Sequence, residues 1–361
     1  MNRNRNQRSF TLLGPLAARQ PIYELLSHNC TIMATWAFLE AAGNILGVSA
    51  ITVELLIPFT GLLLLAYSFH GRTKTPARYS APGWVLIGLY FFLATPHYVE
   101  IGDWVLVVMC GAALPLGIAM GWWDLKIERE GQDEPAVVWL RGCVFWAAFP
   151  YLLIAHMPQL SIAAVYFTAS QGVLFLRWAG IANLQMGDPQ VQYADGTEVP
   201  FSEFDGNQWF HTEALGEGGF YIPLLNADGT PLGISIVLAC SALQSMIIFV
   251  GALVALRGVS WKLRARAFLL TLPVIHVLNV FRNAGIIWLK MTYPDWHLMG
   301  IDIFDFGHSY AAKFGSLFAM FLMAIVLFEL LPTLHSHVLR LLDPLLRVID
   351  TVFPPPNRKV V

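Results

Sequence analysis

The feature that most constrains this chain is a series of apolar runs of about 20 residues, the helix length needed to cross about 30 Å of hydrocarbon. Candidate spans fall at 30–48, 51–70, 84–100, 103–122, 137–157, 160–180, 233–256, 265–290 and 307–331. Composition agrees. Apolar residues make up 56% of the 361 residues and charged ones 13%, against roughly 45–50% and 25% in an average soluble domain. Mean hydropathy is +0.58. The expectation is an all-α polytopic membrane protein. A net charge of −2 offers no basic surface for nucleic acid. The four cysteines form no CxxC pair and no metal-like spacing, so no disulfide framework, metal or other cofactor is indicated.

Lysine and arginine concentrate in cytoplasmic loops, and that bias sets orientation. Here they gather at Arg3–Arg8, Arg72–Arg78, Arg257–Arg266 and in a tail with Arg340, Arg347, Arg358 and Lys359. The stretch 183–233 instead holds eight acidic residues and no lysine or arginine, so it is expected outside. Four candidates separate Arg72–Arg78 from that stretch, yet an odd number of crossings is required. One candidate therefore does not span. Within 160–180, Ser161, Thr168 and Gln171 recur near helical-turn intervals, as in a helix lying in the interface plane. About eight spans remain, with both termini inside. The expected order is a cytoplasmic segment 1–29, helices over 30–157, an outer interfacial helix 158–182, an acidic outer loop 183–232, a core of spans over 233–332 and a cytoplasmic tail 333–361. No signal peptide is expected, because Arg3, Arg5 and Arg8 are not followed by a compact apolar run and cleavage site.

The outer loop carries ADGT twice, at Ala194–Thr197 and Ala227–Thr230, each between strand-like residues. Asp-Gly in that setting is a strong hairpin signal, so a small β cap is expected there.

Three reactive side chains fall near one depth beneath the outer face. Cys240 lies seven residues into the span 233–256, about 10 Å down, and Arg282 lies eight residues before the end of the next, about 12 Å down. His308 opens the span after that. A cysteine in an apolar helix is usually an inert small hydrophobe, and Cys30, Cys110 and Cys143 fit that description. Arg282 is harder to dismiss, since arginine within a span costs roughly 2.5–3.5 kcal/mol on insertion scales. His276, Asn279 and Arg282/Asn283 share one polar stripe at three- and four-residue spacing. Ser241, Gln244 and Ser245 surround Cys240, and Asp305 stands one turn before His308, placed to orient its imidazole. Interhelical hydrogen bonding is the preferred reading of His276, Gln244 and the serines. Lys313 is expected to pair with Asp302 or Asp305.

A thiol becomes a good nucleophile as thiolate, which a nearby cation favours. A histidine can take the thiol proton and return it to a leaving amine, and an arginine can hold a carboxylate or oxyanion. Cysteine, histidine and arginine together read as acyl transfer through a thioester. Other intramembrane protease chemistries leave no trace, as there is no HExxH helix. The alternative is a transporter or channel for an anionic solute using Arg282. Nothing resembles paired broken helices or inverted repeats, and the polar residues stop at one leaflet.

At these residues the chain resembles the exosortase/archaeosortase family, nearest to its archaeosortase branch. The matching stretches are VLACSALQSMIIFVG, KLRARAFLLTLPVIHVLNVFRN and FDFGHSYAAKFGSL through to FELLP, with FPYLLIAHMP and VLFLRWAGI before them, over roughly residues 140–332. The resemblance implies a protein-sorting transpeptidase of the archaeal cell surface. Its partners would be exported proteins, S-layer proteins among them, that end in a short motif such as Pro-Gly-Phe, one transmembrane helix and a basic tail. The acceptor would be a membrane lipid. Cys240 matches the family's nucleophile, Arg282 its arginine and His308 its third basic position. The family usually has glycine two residues after the cysteine, where this chain has Ala242.

Overall fold

A computed structural model describes residues 37–352 apart from 72–74, 101, 133 and 299. Among the described residues seven helices precede the acidic loop: α1 (Ala37–Leu46), α2 (Ala50–His70), α3 (Ala77–Leu93), α4 (Thr95–Glu100), α5 (Trp104–Arg129), α6 (Pro135–His156) and α7 (Pro158–Trp178). Side chains start several of them: Ser49 accepts from Thr52 N–H (3.2 Å) at α2, and Asp103 from Leu106 N–H (3.2 Å) at α5. After the loop come α8 (Leu243–Val254), α9 (Trp261–Thr292), α10 (Ile303–Asp305), a π-helical turn (Phe306–Ala311), α11 (Ala312–Leu330) and α12 (Pro332–Val352). Among the described residues six helices are long and apolar enough to cross a bilayer: Ala50–His70, Trp104–Arg129, Pro135–His156, Pro158–Trp178, Trp261–Thr292 and Phe306–Leu330. The protein is thus a multi-pass, mainly helical membrane protein. The other expected spans are shorter helices here, and residues 30–36 of the first lie outside the described residues.

Close backbone approach joins α3 to α5. A Cβ at Gly88 would stand 2.5 Å from the Ala113 carbonyl oxygen, and one at Gly117 would stand 2.5 Å from that of Trp84. Small residues at such crossings let helices gain dispersion contacts that lipid alone does not provide. At one end of this packing, Asp124 of α5 is fully buried and surrounded by donors. Ser80 Oγ (2.5 Å) and Trp84 Nε1 (3.2 Å) of α3 donate to it, as do Arg141 Nε (3.1 Å) and Nη2 of α6. Asp124 and Arg141 form a buried ion pair. Its members lie on different helices, and no local spacing reveals them.

The acidic loop folds as a five-stranded antiparallel sheet of β1 (Gln185–Met186), β2 (Gln190–Tyr193), β3 (Glu198–Pro200), β4 (Leu215–Leu225) and β5 (Pro231–Val237), with β4 pairing β1, β2 and β5. Both ADGT segments turn hairpins, β2–β3 and β4–β5, as expected. Asp195 and Asp228 each accept the N–H two residues on (2.8 and 3.0 Å), and Gly196 and Gly229 supply φ of 84° and 82°. A short ladder, β6 (His297–Leu298) with β7 (Ile301–Asp302), links α9 to α10.

Helix α7 lies along this sheet. Val165, Ala169, Val173 and Leu176 share an apolar cluster with Leu184, Ile222, Leu224, Ile234, Ile236 and Cys240, while Ile162 packs on the neighbouring cluster of Val191, Phe204 and Phe220. The polar stripe that suggested an interfacial helix turns toward the protein. Ser161 and Thr168 are buried, and Thr168 bonds back to the Ala164 carbonyl (2.8 Å), so these residues face protein rather than headgroups.

The cap is tied to the end of α6. His211 N–H donates to the His156 carbonyl (2.9 Å), and the two imidazoles lie 4.9 Å apart. Burial pushes His211 below the usual histidine range, against the raising influence of the Ala155 carbonyl and Glu213. A depressed histidine stabilises the fold fully above its unfolded value of about 6.5 and loses that contribution as pH falls through the folded value. The fluorescence of the adjacent exposed Trp209 is expected to report loosening of the cap as pH drops below about 6.5, and His211→Phe to flatten that response. An unchanged pH profile in His211→Phe would exclude this histidine as its source.

The tail is also structured. Helix α12 turns back from α11 with Leu334, Val338 and Leu341 on the core and Leu339, Leu342 and Leu346 exposed.

Candidate functional site

Cys240 is not inside a transmembrane helix, which corrects its expected place in a span over 233–256. Strand β5 ends at Val237, a 3-10 turn covers Leu238–Ser241, and α8 begins only at Leu243. An apolar run reads alike as buried strand or buried helix, and β4 decided the matter by pairing with its first part. Cys240 therefore stands at a strand-to-helix turn, 7% exposed, beneath the β cap and α7.

The turn is held tightly. Asn279 Nδ2 and Asn283 Nδ2 of α9 both donate to the carbonyl oxygen of Cys240, at 2.8 and 2.9 Å. Two buried amides on one acceptor fix the backbone of the cysteine against α9. Ser241 Oγ donates to the Leu238 carbonyl (2.7 Å) and accepts from Leu243 N–H (3.2 Å), closing the turn and starting α8. Gln244 donates to the Tyr151 hydroxyl (2.7 Å), an interhelical bond of the kind expected for it.

Ala242 follows with φ 54° and ψ 9°, the left-handed region, and among the described residues it is the one residue other than glycine at positive φ. The reversal from strand to helix demands that conformation, which costs an L-residue roughly 1–2 kcal/mol and glycine little. A glycine here would adopt this backbone angle without that cost. Ala242→Gly is expected to stabilise the protein by about 0.5–1 kcal/mol, measured by detergent unfolding, with Ala242→Val going the other way. Destabilisation by glycine would show that the methyl group's contacts outweigh the strain.

Arg282 occupies the same α9 turn as the two asparagines. Its Nη1 donates to Asn283 Oδ1 (3.4 Å), so Asn283 bonds the arginine with one end of its amide and the Cys240 carbonyl with the other. Arg282 Nε is buried and has no partner among the described residues. The arginine lines a cavity of about 530 Å³ together with Ala242, Asn279, Gly307, Ala311 and Gly315. Gly307 and Ala311 flank His308 in the π-helical turn, which brings that turn to the same cavity wall. His308 stacks on Phe304 at 5.9 Å and 8°. The side chain of Asp305 lies outside the described residues. His276 stacks on Phe167 of α7 (5.6 Å), a packing contact.

Lys313 needs correction. It pairs with Asp103 at the start of α5 (3.3 Å), while Asp302 goes to Lys290 (3.6 Å). The fold brings the start of α11 to the start of α5, and no sequence spacing signals a partner 210 residues away. No group of three or more His, Cys, Asp or Glu that could hold a metal occurs among the described residues.

A model of one protein family, Transmembrane exosortase (Exosortase_EpsH), matches residues 48–328. The chain belongs to the transmembrane exosortase family. The match begins well before residue 140, so the helices ahead of the cap lie within the family's region. Archaeosortase A of Haloferax volcanii is 24% identical over 220 residues, covering 60% of this chain and 64% of that protein. The chain thus aligns with somewhat less than two thirds of that relative's length. No solved structure matches. Asn279, Arg282, Asn283, Cys240 and Ala242 form one contiguous constellation, and the turn that carries His308 reaches the same cavity.

Proposed function

We propose that this protein is a membrane-embedded cysteine transpeptidase that cleaves C-terminal sorting signals of exported surface proteins, of the Pro-Gly-Phe class, and transfers them to a membrane lipid. The observation that carries the reading is the double amide clamp on Cys240 from the same α9 turn that presents Arg282 to the cavity. The cap and α7 face outward on this reading, with both termini cytoplasmic. The packing of α7 along the sheet supports its placement at the outer surface.

The chemistry follows from the side chains. Cys240 Sγ attacks the scissile carbonyl carbon while His308 accepts the thiol proton. Arg282, which lines the cavity, stabilises the oxyanion of the tetrahedral intermediate. The C–N bond breaks, the leaving amine takes its proton from His308, and a thioester to Cys240 remains. An amine or hydroxyl of the acceptor then attacks that carbonyl, gives its proton to His308, and the thiolate leaves and is reprotonated. Asn279 and Asn283 act as positioning residues, since they hold the cysteine backbone rather than the reacting atoms.

Mass spectrometry of a co-expressed reporter tests this. The reporter ends in Pro-Gly-Phe, an apolar helix of about 20 residues and a basic tail. The expected product is a shortened C-terminus carrying an added lipid-derived mass, made only when the protein is present. A free carboxylate would reduce the activity to hydrolysis, and an intact reporter would reject the signal class.

A further inference from the structure

The sheet has three free edges, and they are treated differently. An exposed edge invites pairing with another chain, so proteins blunt edges with short strands, charge or proline. β1 is only two residues long, and β3 is three residues carrying Glu198 and Pro200. β5 is seven residues, PLGISIV, without a charge, and its one proline is its first residue. Gly233, at φ 75°, bends its start and leaves Ile234–Val237 as a straight run. Ile234 and Ile236 are buried beneath the sheet while Ser235 is exposed. Among the described residues, β4 is the one strand paired with β5, and no other backbone hydrogen bond reaches residues 232–237.

This open edge runs directly into the nucleophile's turn. Cys240 follows Val237 by three residues. A strand added beside β5 would lie about 4.8 Å from it, and its continuation past Val237 would run alongside the Leu238–Ser241 turn. On the outer face of the sheet, a hollow of about 350 Å³ lined by Glu198, Tyr221, Gly233, Ser235 and Val237 adjoins the edge. Gly233 and Ser235 are small, so alternate side chains of an added strand have room there.

We infer that the free edge of β5 docks the extended segment of the substrate that carries the scissile bond, by strand addition, and delivers its carbonyl to Cys240. The inference rests on the transpeptidase reading above. Main-chain pairing would supply affinity for many exported proteins of different sequence, and the hollow would select among side chains at every second position.

Disulfide cross-linking tests it without relying on turnover. In the full-length protein with all four native cysteines replaced by alanine, Ser235→Cys is combined with single cysteines walked through the Pro-Gly-Phe region of the reporter described above. Strand addition predicts cross-links at alternate reporter positions, several-fold above those between them, because successive side chains of a strand point to opposite faces. Absent or non-alternating cross-links to a reporter that the wild-type protein cuts would overturn the docking edge and leave the transpeptidase reading standing. Alternation with a reporter that the wild-type protein leaves intact would retain the docking edge and sink the transpeptidase reading. Cross-linking of Ser235→Cys between two copies, undiminished by the reporter, would overturn the inference by assigning the edge to a second copy of the chain.

Discussion

Cys240→Ala is expected to abolish reporter processing, a loss on the order of 10⁶-fold if the thioester route is used, because no neighbouring group replaces the nucleophile. The protein should stay folded in the membrane, since the clamp from Asn279 and Asn283 engages the backbone carbonyl, which alanine keeps. Arg282→Lys should also be severe, at about 10²–10³-fold, the range for losing one oxyanion donor. A lysine brings a compact ammonium in place of the planar fork that reaches Asn283 and the cavity together. Asn283→Ala offers a graded comparison, because it frees Arg282 and leaves the Cys240 carbonyl to Asn279 alone without touching a reacting atom. Wild-type rates for Cys240→Ala would refute the mechanism. Wild-type rates for Arg282→Lys would assign the arginine to charge alone.

Asp124→Ala is expected to give the largest loss of stability, about 3–5 kcal/mol, because it strands a buried guanidinium. Arg141 is 5% exposed and Asp124 fully buried, so neither has water to fall back on. Arg141→Ala should cost a similar amount for the converse reason. Replacing both together, Asp124→Leu with Arg141→Met, should recover most of the loss, since the desolvation cost of the two charges disappears with them. Unfolding midpoints in detergent for Asp124→Leu, Arg141→Met and the double variant measure this cycle. Additive losses in the double variant would mean that Ser80 and Trp84, left without their acceptor, dominate the site. Processing by the folded double variant should be near normal, because the network lies on α3, α5 and α6, away from the Cys240 turn.

Much of this was written locally in the chain. Apolar runs of membrane length announced a polytopic protein, and two Asp-Gly turns announced hairpins, because both signals depend on a few neighbouring residues. The three- and four-residue spacing of Asn279, Arg282 and Asn283 likewise marked one face of a helix. Tertiary structure alone decided what that face holds: the backbone carbonyl of Cys240, 39 residues before Asn279 and 43 before Asn283. It also placed Cys240 at the end of a strand, since β4, and not the composition of the run, settles whether apolar residues pair or coil. The left-handed angle of Ala242 arises from the change of direction between sheet and helix, which no dipeptide encodes. The partners of Asp124 and Lys313 were invisible for a related reason. A buried or bridging charge chooses whatever opposite charge the packing of helices brings near, and that proximity exists only after the chain has folded.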